Sequence, residues 1–279
     1  MGIQIIAKNA DFSALGLGNV NLSEIFIATA GITNETQKTA LRTFYNSFKS
    51  AGFYKKFAVA RLYFTGTSLG DSLNLLNPVL GVSAKQATFI SDSAGRHTTA
   101  GWSPDGATGH YAISNFALLG DLTHFHLHAW TTNQEDQTST ANRFIMGSTA
   151  ASGSNNHLVT LQRNGQNGAR SAIGASTGNV PLKSNAASIA GVGLLSSARQ
   201  GGSQKLYANG AVLTTTTALV NAPITDGTSI FREGASDTSN ASLFTQCTLR
   251  FLGYGFADWT DADEVALNAM ITAFNTALA

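Results

Sequence analysis

The sequence predicts a mainly β protein, a two-sheet antiparallel sandwich with a small N-terminal helical segment and a C-terminal helix. Three observations point there. Short β-prone runs, each closed by Gly, Asn, Ser or Asp, recur along most of the 279 residues. The stretch Gly193–Thr217, GLLSSARQGGSQKLYANGAVLTTTT, holds two such runs and the start of a third. They are separated by Gln200-Gly201-Gly202-Ser203 and Ala208-Asn209-Gly210, and Asn-Gly tolerates the positive φ of tight hairpin turns, so the stretch reads as a meander. With 28 Gly and only 4 Pro, the connections are tight turns rather than stiff spacers.

Residues 1–20 are apolar, carry three glycines and have no clear period. They read as an arm that docks on something else, with a first strand at the sandwich edge as the alternative. A helical segment follows over residues 21–58. Ser23–Ala30 is one short candidate. In the second, Thr33 or Asn34 can cap, Gln37 sits three residues after Asn34, and Leu41, Phe44 and Phe48 share a face. Lys49 falls in its last turn and Gly52 suits a left-handed terminus, after which Phe53 folds back on the helix.

Residues 59–279 form the sandwich. Its strand candidates are Val59–Thr65, Lys85–Ile90, His110–Ile113, Leu122–Thr132, Arg143–Met146, His157–Arg163, Ala169–Ile173, Ser188–Leu195, Ile230–Arg232 and Gln246–Tyr254. Turns are expected at Ser103-Pro104-Asp105-Gly106, Asn164-Gly165 and Asn167-Gly168. Along Leu122–Thr132, Phe125, Leu127 and Ala129 point one way, and His124, His126, His128 and Trp130 the other. Cys247, Leu249 and Phe251 are expected on one side of the last strand. Over 260–278 a helix closes the chain. Thr260 caps it, Asp263 completes a capping-box variant, and Leu267, Met270, Ile271, Phe274 and Leu278 form its apolar stripe.

Bulk properties exclude several classes. A net charge of +1 offers no electrostatic footprint for nucleic acid. Charged residues are only 12% of the chain, against about 25% in typical domains, so solubility rests on Ser, Thr, Asn and Gln. The lone Cys247 cannot close an internal disulfide. No window approaches the ~20 apolar residues of a spanning helix. The run Ile3–Ala7, interrupted by Gln4, is too short for a signal-peptide core. The expectation is a soluble protein made in a cytoplasm, without membrane insertion.

Candidate chemistry is sparse. A sandwich glycosidase needs two carboxylates about 5–5.5 Å apart for retention. None of the five Glu residues starts an E-x-D-x-x-E pattern, and the adjacent Glu135-Asp136 would face opposite ways on a strand. Gly70-Asp71-Ser72-Leu73 spells a hydrolase nucleophile block, and Asp121-Leu122-Thr123-His124 imitates its later D-x-x-H. The accompanying oxyanion block is missing, and a plain loop is the better reading of that stretch. Two neighbours among His124, His126 and His128 could share an ion, but strand geometry sets the outer pair roughly 13 Å apart. The alternative is a sheet face covered by the N-terminal helices or another subunit. Trp130 on that face, and Trp102 and Tyr111 near the Pro104 turn, could stack on sugar rings, with core packing favoured for Tyr111. The candidate binding or interface face is therefore His124, His126, His128, Trp130 and Trp102. No catalytic set, metal or cofactor is expected.

The order of certain segments is more specific than any one of them. Ser197-Ala198-Arg199 through Lys205-Leu206-Tyr207-Ala208-Asn209-Gly210, then Gly253-Tyr254-Gly255, then Trp259-Thr260-Asp261-Ala262-Asp263-Glu264 leading to Ala273–Leu278, resembles tailed-bacteriophage and prophage virion proteins. Those carry a concanavalin A-like (laminin G-like) jelly-roll domain. Phe48–Tyr54, Leu62-Tyr63-Phe64-Thr65-Gly66 and Asn74-Leu75-Leu76-Asn77-Pro78 are similar to the same group, so the resemblance spans roughly residues 22–279. It implies a jelly-roll sandwich and a non-enzymatic structural role of tail, tail-fibre or head-fibre type. The implied partners are other virion proteins, copies of itself in a homo-oligomer, and host-surface glycans. The implied location is the virion, assembled in the bacterial cytoplasm.

Overall fold

The computed structural model describes residues 21–81, 84–104, 110–117, 122–133, 142–149, 157–164, 168–173, 182–184, 192–217, 219, 230–234, 245 and 247–279. The N-terminal arm and Glu135-Asp136 lie outside them. So do Asp105-Gly106, Gly165–Asn167 and Ser188–Gly191 of the expected turns and strands.

Helices α1 (Leu22–Ala30) and α2 (Glu35–Ser50) come first. Then follow β1 (Val59–Leu62), α3 (Ser68–Ser72), β2 (Thr88–Ile90), β3 (His97–Thr98), β4 (Gly101–Trp102), β5 (Tyr111–Ala117), β6 (His124–Thr131) and β7 (Asn142–Thr149). The chain continues through β8 (His157–Asn164), β9 (Gly168–Ile173), β10 (Leu182–Ser184), β11 (Gly193–Gln200), β12 (Ser203–Ala208), β13 (Ala211–Thr216), β14 (Ile230–Glu233), β15 (Leu249–Gly255) and α4 (Asp261–Leu278).

Among the described residues the strands form two antiparallel sheets. Sheet 1 runs β13-β12-β11-β6-β15-β4-β3, with β1 also on β15; sheet 2 runs β10-β9-β8-β7-β14-β5-β2. One core lies between them, where Phe125, Leu127 and Ala129 meet Ile145, Phe231, Leu195 and Tyr254. A second lies on the outer face of sheet 1, where α1, α2 and α4 bury Phe26, Phe44, Phe48, Leu267, Ile271 and Phe274 against Leu62, Leu194 and Phe251. The sandwich thus carries a helical third layer on one side.

Local signals account for the joints. Gln37 N–H donates to Asn34 Oδ1 at 3.0 Å, and Gly52 turns the end of α2 at φ 73°, bringing Phe53 back to 5.5 Å from Phe48. Thr260 and Asp263 close a reciprocal capping box on α4. Asn209 and Gly210 take φ of 51° and 86° in the β12–β13 turn, the positive pair that a tight hairpin requires. The block Gly70-Asp71-Ser72, expected as a loop, is the short helix α3, capped by Thr67, whose Oγ1 accepts from Gly70 N–H.

Several strands depart from expectation: β1 stops at Leu62, β2 starts at Thr88, and β3, β4 and β10 are unexpected. β11 starts at Gly193 and runs to Gln200, because Asn209 Oδ1 accepts from Leu194 N–H at 2.9 Å and anchors that start. In β15 the register shifts between Leu249 and Phe251. That irregularity breaks the alternation: Leu249 enters the inter-sheet core, whereas Phe251 turns to the helices beside Phe44 and Phe57. Cys247, Leu249 and Phe251 are all buried but do not share one side. Tyr111 likewise is half-buried rather than a core residue, and it is the adjacent Ala112 that enters the inter-sheet core.

A polar knot sits inside the sandwich. Arg61 on β1 and Glu233 on β14 are both fully buried, with Arg61 Nε 2.9 Å from Glu233 Oε1. The guanidinium also donates to the carbonyls of Ser72, Lys85 and Ser114, and Tyr63 Oη donates to Glu233 Oε2 at 2.7 Å. Burial works against the Arg61 charge, but Glu233 outweighs it and holds the guanidinium protonated. Replacing Arg61 by Met strands a carboxylate in the core and should cost about 3–5 kcal/mol of unfolding free energy. The double change Arg61→Met with Glu233→Leu should recover most of that loss. Urea titrations of the three proteins check this; a single variant as stable as the parent would exclude the knot as a stabilising pair.

Candidate functional site

β6 crosses the middle of sheet 1 and turns His126 and His128 toward the helical layer. Their cross-strand neighbours are small: Ala198 and Ser196 on β11, Gly255 and Gly253 on β15. Small neighbours leave a trench above the sheet. A Cβ on Gly253 would stand 2.5 Å from the Phe57 ring, so this glycine is what lets Phe57 lie down in it. Trp259 enters from the other side, its ring 4.7 Å from that of His126 and 4.3 Å from that of His128. Glu264, in the first turn of α4, closes the end.

Hydrogen bonds assign the tautomers. His126 Nε2 lies 3.0 Å from the Lys56 carbonyl oxygen, which can only accept, so Nε2 carries the proton. His126 Nδ1 therefore accepts from His128 Nε2 at 2.8 Å, and His128 Nδ1 from the Ser196 hydroxyl at 2.8 Å. Both rings are neutral in this arrangement. Burial holds both imidazoles well below the usual histidine range, and the neighbouring His128 adds to the effect on His126.

Glu264 is fully buried, and Trp259 Nε1–H donates to its Oε2 at 2.9 Å. Burial pushes its carboxyl from 4.5 up to about 7, against the hydrogen bond from the Trp259 indole. A neutral acid suits the geometry: Oε2 stands 3.4 Å from His128 Nδ1, and Oε1 has no hydrogen-bond partner among the described residues, a vacancy that costs less on an acid than on a carboxylate.

The expected binding face is therefore not open. His126 and His128 are sealed by the chain's own Phe57, Trp259 and α4, and Trp130 is half-buried against the same helical cluster. Trp102 is 1% exposed between the sheets, against Phe89, Tyr63 and His97. Of the three histidines His124 alone reaches solvent, paired with Asp258 at 2.5 Å. The facing nitrogens of His126 and His128 are 2.8 Å apart, closer than the ~3.3 Å that two tetrahedral zinc ligands require.

The hydrolase-like block does not assemble a triad. Ser72 Oγ donates to the Leu69 carbonyl and accepts from Gln86 Nε2, and among the described residues no imidazole hydrogen-bonds to it. Asp71 instead accepts from the Phe64 and Thr65 amides through Oδ1 and meets His97 Nδ1 at 2.8 Å through Oδ2. His97 Nε2 faces Asp92 at 3.0 Å. Burial opposes its charge, but the two carboxylates prevail and raise the imidazole above its usual range. Sequence reasoning missed His97 and Asp92, which carry no local motif.

No protein-family model matches the chain, and no curated protein does. Solved structures do. The chain is similar to a Trypanosoma rangeli sialidase in complex with sialic acid, with TM-score 0.57 and 11% identity, over 84% of this chain and 39% of the sialidase. It is also similar to the HCR/D W1238A mutant, with TM-score 0.52 and 11% identity, over 77% of this chain and 52% of that one. The chain thus spans about two fifths of the sialidase and about half of the second protein. At such identity the likeness is one of fold: a mainly β, two-sheet sandwich.

The trench gives two pH limbs of opposite sign. Between pH 4.5 and 7 the unfolded chain has released a proton that folded Glu264 keeps, so this contribution falls as pH rises, by up to about 3 kcal/mol. The histidines act the other way: below their unfolded value of 6.5 the unfolded chain binds protons that the folded rings refuse, so stability is lost as pH falls. Glu264→Gln should gain relative to the parent as pH rises from 5 to 7.5, and His128→Gln should flatten the loss below pH 6.5. Urea midpoints against pH read both; parallel curves for parent and Glu264→Gln would refute the buried acid.

Proposed function

We propose that the chain is a non-enzymatic structural component of a bacteriophage virion, of tail or fibre type, displaying its sandwich for assembly and for contact with the host surface. The observation that carries this reading is the use made of the segments behind the resemblance. Gly253-Tyr254-Gly255 admits Phe57 and Lys56 to the sheet, Trp259–Glu264 seals the trench and caps α4, and Ala208-Asn209-Gly210 makes the hairpin beneath that helix. Motifs spent on joints fit a scaffold better than a catalyst. Among the described residues Ser72 is held by the Leu69 carbonyl and Gln86 rather than by a base, which fits a joint in the fold.

A second reading, carbohydrate recognition, is favoured by the fold likeness to a sialidase solved with sialic acid and by exposed aromatic surface at one end of the sandwich. There Phe256 is 41% exposed beside Phe116 and Phe125, and the His124–Asp258 pair stands in solvent nearby in sequence and on adjoining strand ends. Fold alone does not decide function. The two readings are compatible, since attachment can reside on a structural scaffold.

Mass spectrometry of purified particles from a host carrying the gene should find this chain at stoichiometric copy number, and immunogold labelling should place it on the particle. Its absence from intact particles would end the structural reading. For the second reading, a glycan array should lose signal with Phe256→Ala at an unchanged melting temperature; an array blank for the parent would discard it.

A further inference from the structure

We propose that the outer edge of β13 pairs, antiparallel and about a two-fold axis, with β13 of a second copy of this chain. An open sheet ends in unpaired N–H and C=O groups, which proteins guard by shortness, charge, proline or a covering segment. Among the described residues the strand edges are guarded unequally, and that of β1 is met by the Asn74 side chain and the Leu75 amide. β3 has two residues, β2 has three, and β10 has three including Lys183. β13 has six, and the run Ala211–Thr217, AVLTTTT, holds no charge, no Pro and no Gly. Among the described residues its hydrogen-bonded partner is β12 alone; β10 of the other sheet and α4 come close to it without pairing. A register shift opposite Leu206/Tyr207 twists the strand near the hairpin, and the pairing beyond it, through Thr214, Thr215 and Thr216, is regular.

A second observation marks the same border. Val192, Val212 and Val265 are 45%, 43% and 56% exposed, and all three flank the Asn209-Gly210 turn. Val212 stands opposite Tyr207, whose side chain lies in the helical core, so Val212 is on the helix side. Gly210 lies against Val265 and Asn268 of α4, and the Asn209 amide donates to the Val192 carbonyl. Among the described residues this strand edge is therefore unpaired and bordered by an apolar rim on its helix side.

A second copy suits this edge because an isologous pairing sets the same uncharged, β-branched ladder against itself. No like charges would oppose each other along 211–217, and the net charge of +1 adds little repulsion between copies. Centring the axis at Thr215, the middle of the regular run, joins the two copies of sheet 1 into one continuous sheet. This inference is independent of whether the chain belongs to a virion.

Sedimentation equilibrium of the full chain should give a dimer. Val212→Lys and Thr215→Lys should each weaken it by about tenfold or more, while Leu80→Lys, at another exposed apolar position, should leave it unchanged. Thr215→Cys should form a disulfide-linked dimer under mild oxidation, since Cys247 is buried and does not compete; this variant retains a near-native strand and covers the case in which a lysine variant unfolds. A parent that is monomeric at all concentrations overturns the proposal. So does a dimer indifferent to both edge lysines, a dimer whose Thr215→Cys form does not cross-link, or an edge that accepts only a foreign peptide strand.

Discussion

Burial of sheet 1 on both faces is the constraint from which the rest of the structure follows. The strands β1 and β15 are buried along their whole length, and β11 is buried as far as Arg199. A half-buried antiparallel strand alternates apolar and polar; one with a core on each side does not. Each polar residue inserted there must find its partner within the protein, because water does not reach it. Ser196 and Ser197 bond to His128 and the Lys205 carbonyl, and Arg199 bonds the carbonyls of Ile173 and Gly201. Arg61 does the same at β1 with Glu233 and three carbonyls. These two arginines reach from sheet 1 toward sheet 2, so the polar content of the core also fixes how the sheets face each other.

The same constraint explains the histidine trench. Two imidazoles on the helix side of β6 can be buried only as neutral rings with every nitrogen used, and the Lys56 carbonyl, Ser196 and the ring-to-ring bond supply that. The partners come from remote parts of the chain: residues 56–57 precede β1, and residues 259–264 follow β15. Their meeting over β6 ties the N-terminal helices and α4 to one place on the sheet. Lys56 Nζ reinforces the junction, 2.6 Å from Asp263, which also serves the capping box. Seating of α4 is therefore specified by polar fit as well as by its apolar stripe.

Much of this architecture was legible because it rests on local chemistry. The Asn34 and Thr260 caps, Gly52, the Asn209-Gly210 turn and the alternation of Phe125, Leu127 and Ala129 each have a cause within a few residues. What was not legible depends on contacts across the chain. Alternation placed His126 and His128 on one face correctly, but the cover over that face comes from residues 57 and 259, more than sixty positions away in either direction. A cue existed in Gly253-Tyr254-Gly255, since glycines in a strand mark a close approach. Arg61 was a similar cue, a lone charge in the apolar run Val59–Phe64, which points to a buried partner without naming Glu233. The irregularity at Leu249–Phe251 left no trace in the sequence, so the last strand was read with the wrong side for Phe251.

Strongly displaced protonation is ordinarily a pointer to an active site. Here the pointer leads inward. His126, His128, Glu264, Tyr63 and Tyr254 owe their displacement first to burial, and each lies beneath a closed layer of side chains. A catalytic group must meet its substrate, so a desolvated group with no route to solvent can specify packing but cannot turn over a ligand. Perturbation combined with access is what marks catalysis; perturbation combined with sealing marks a joint. In a chain with only 12% charged residues, placing several ionisable groups inside leaves a surface of hydroxyls, amides and small apolar patches. Contacts made through such groups rest on shape and hydrogen bonding more than on charge, and they depend weakly on salt.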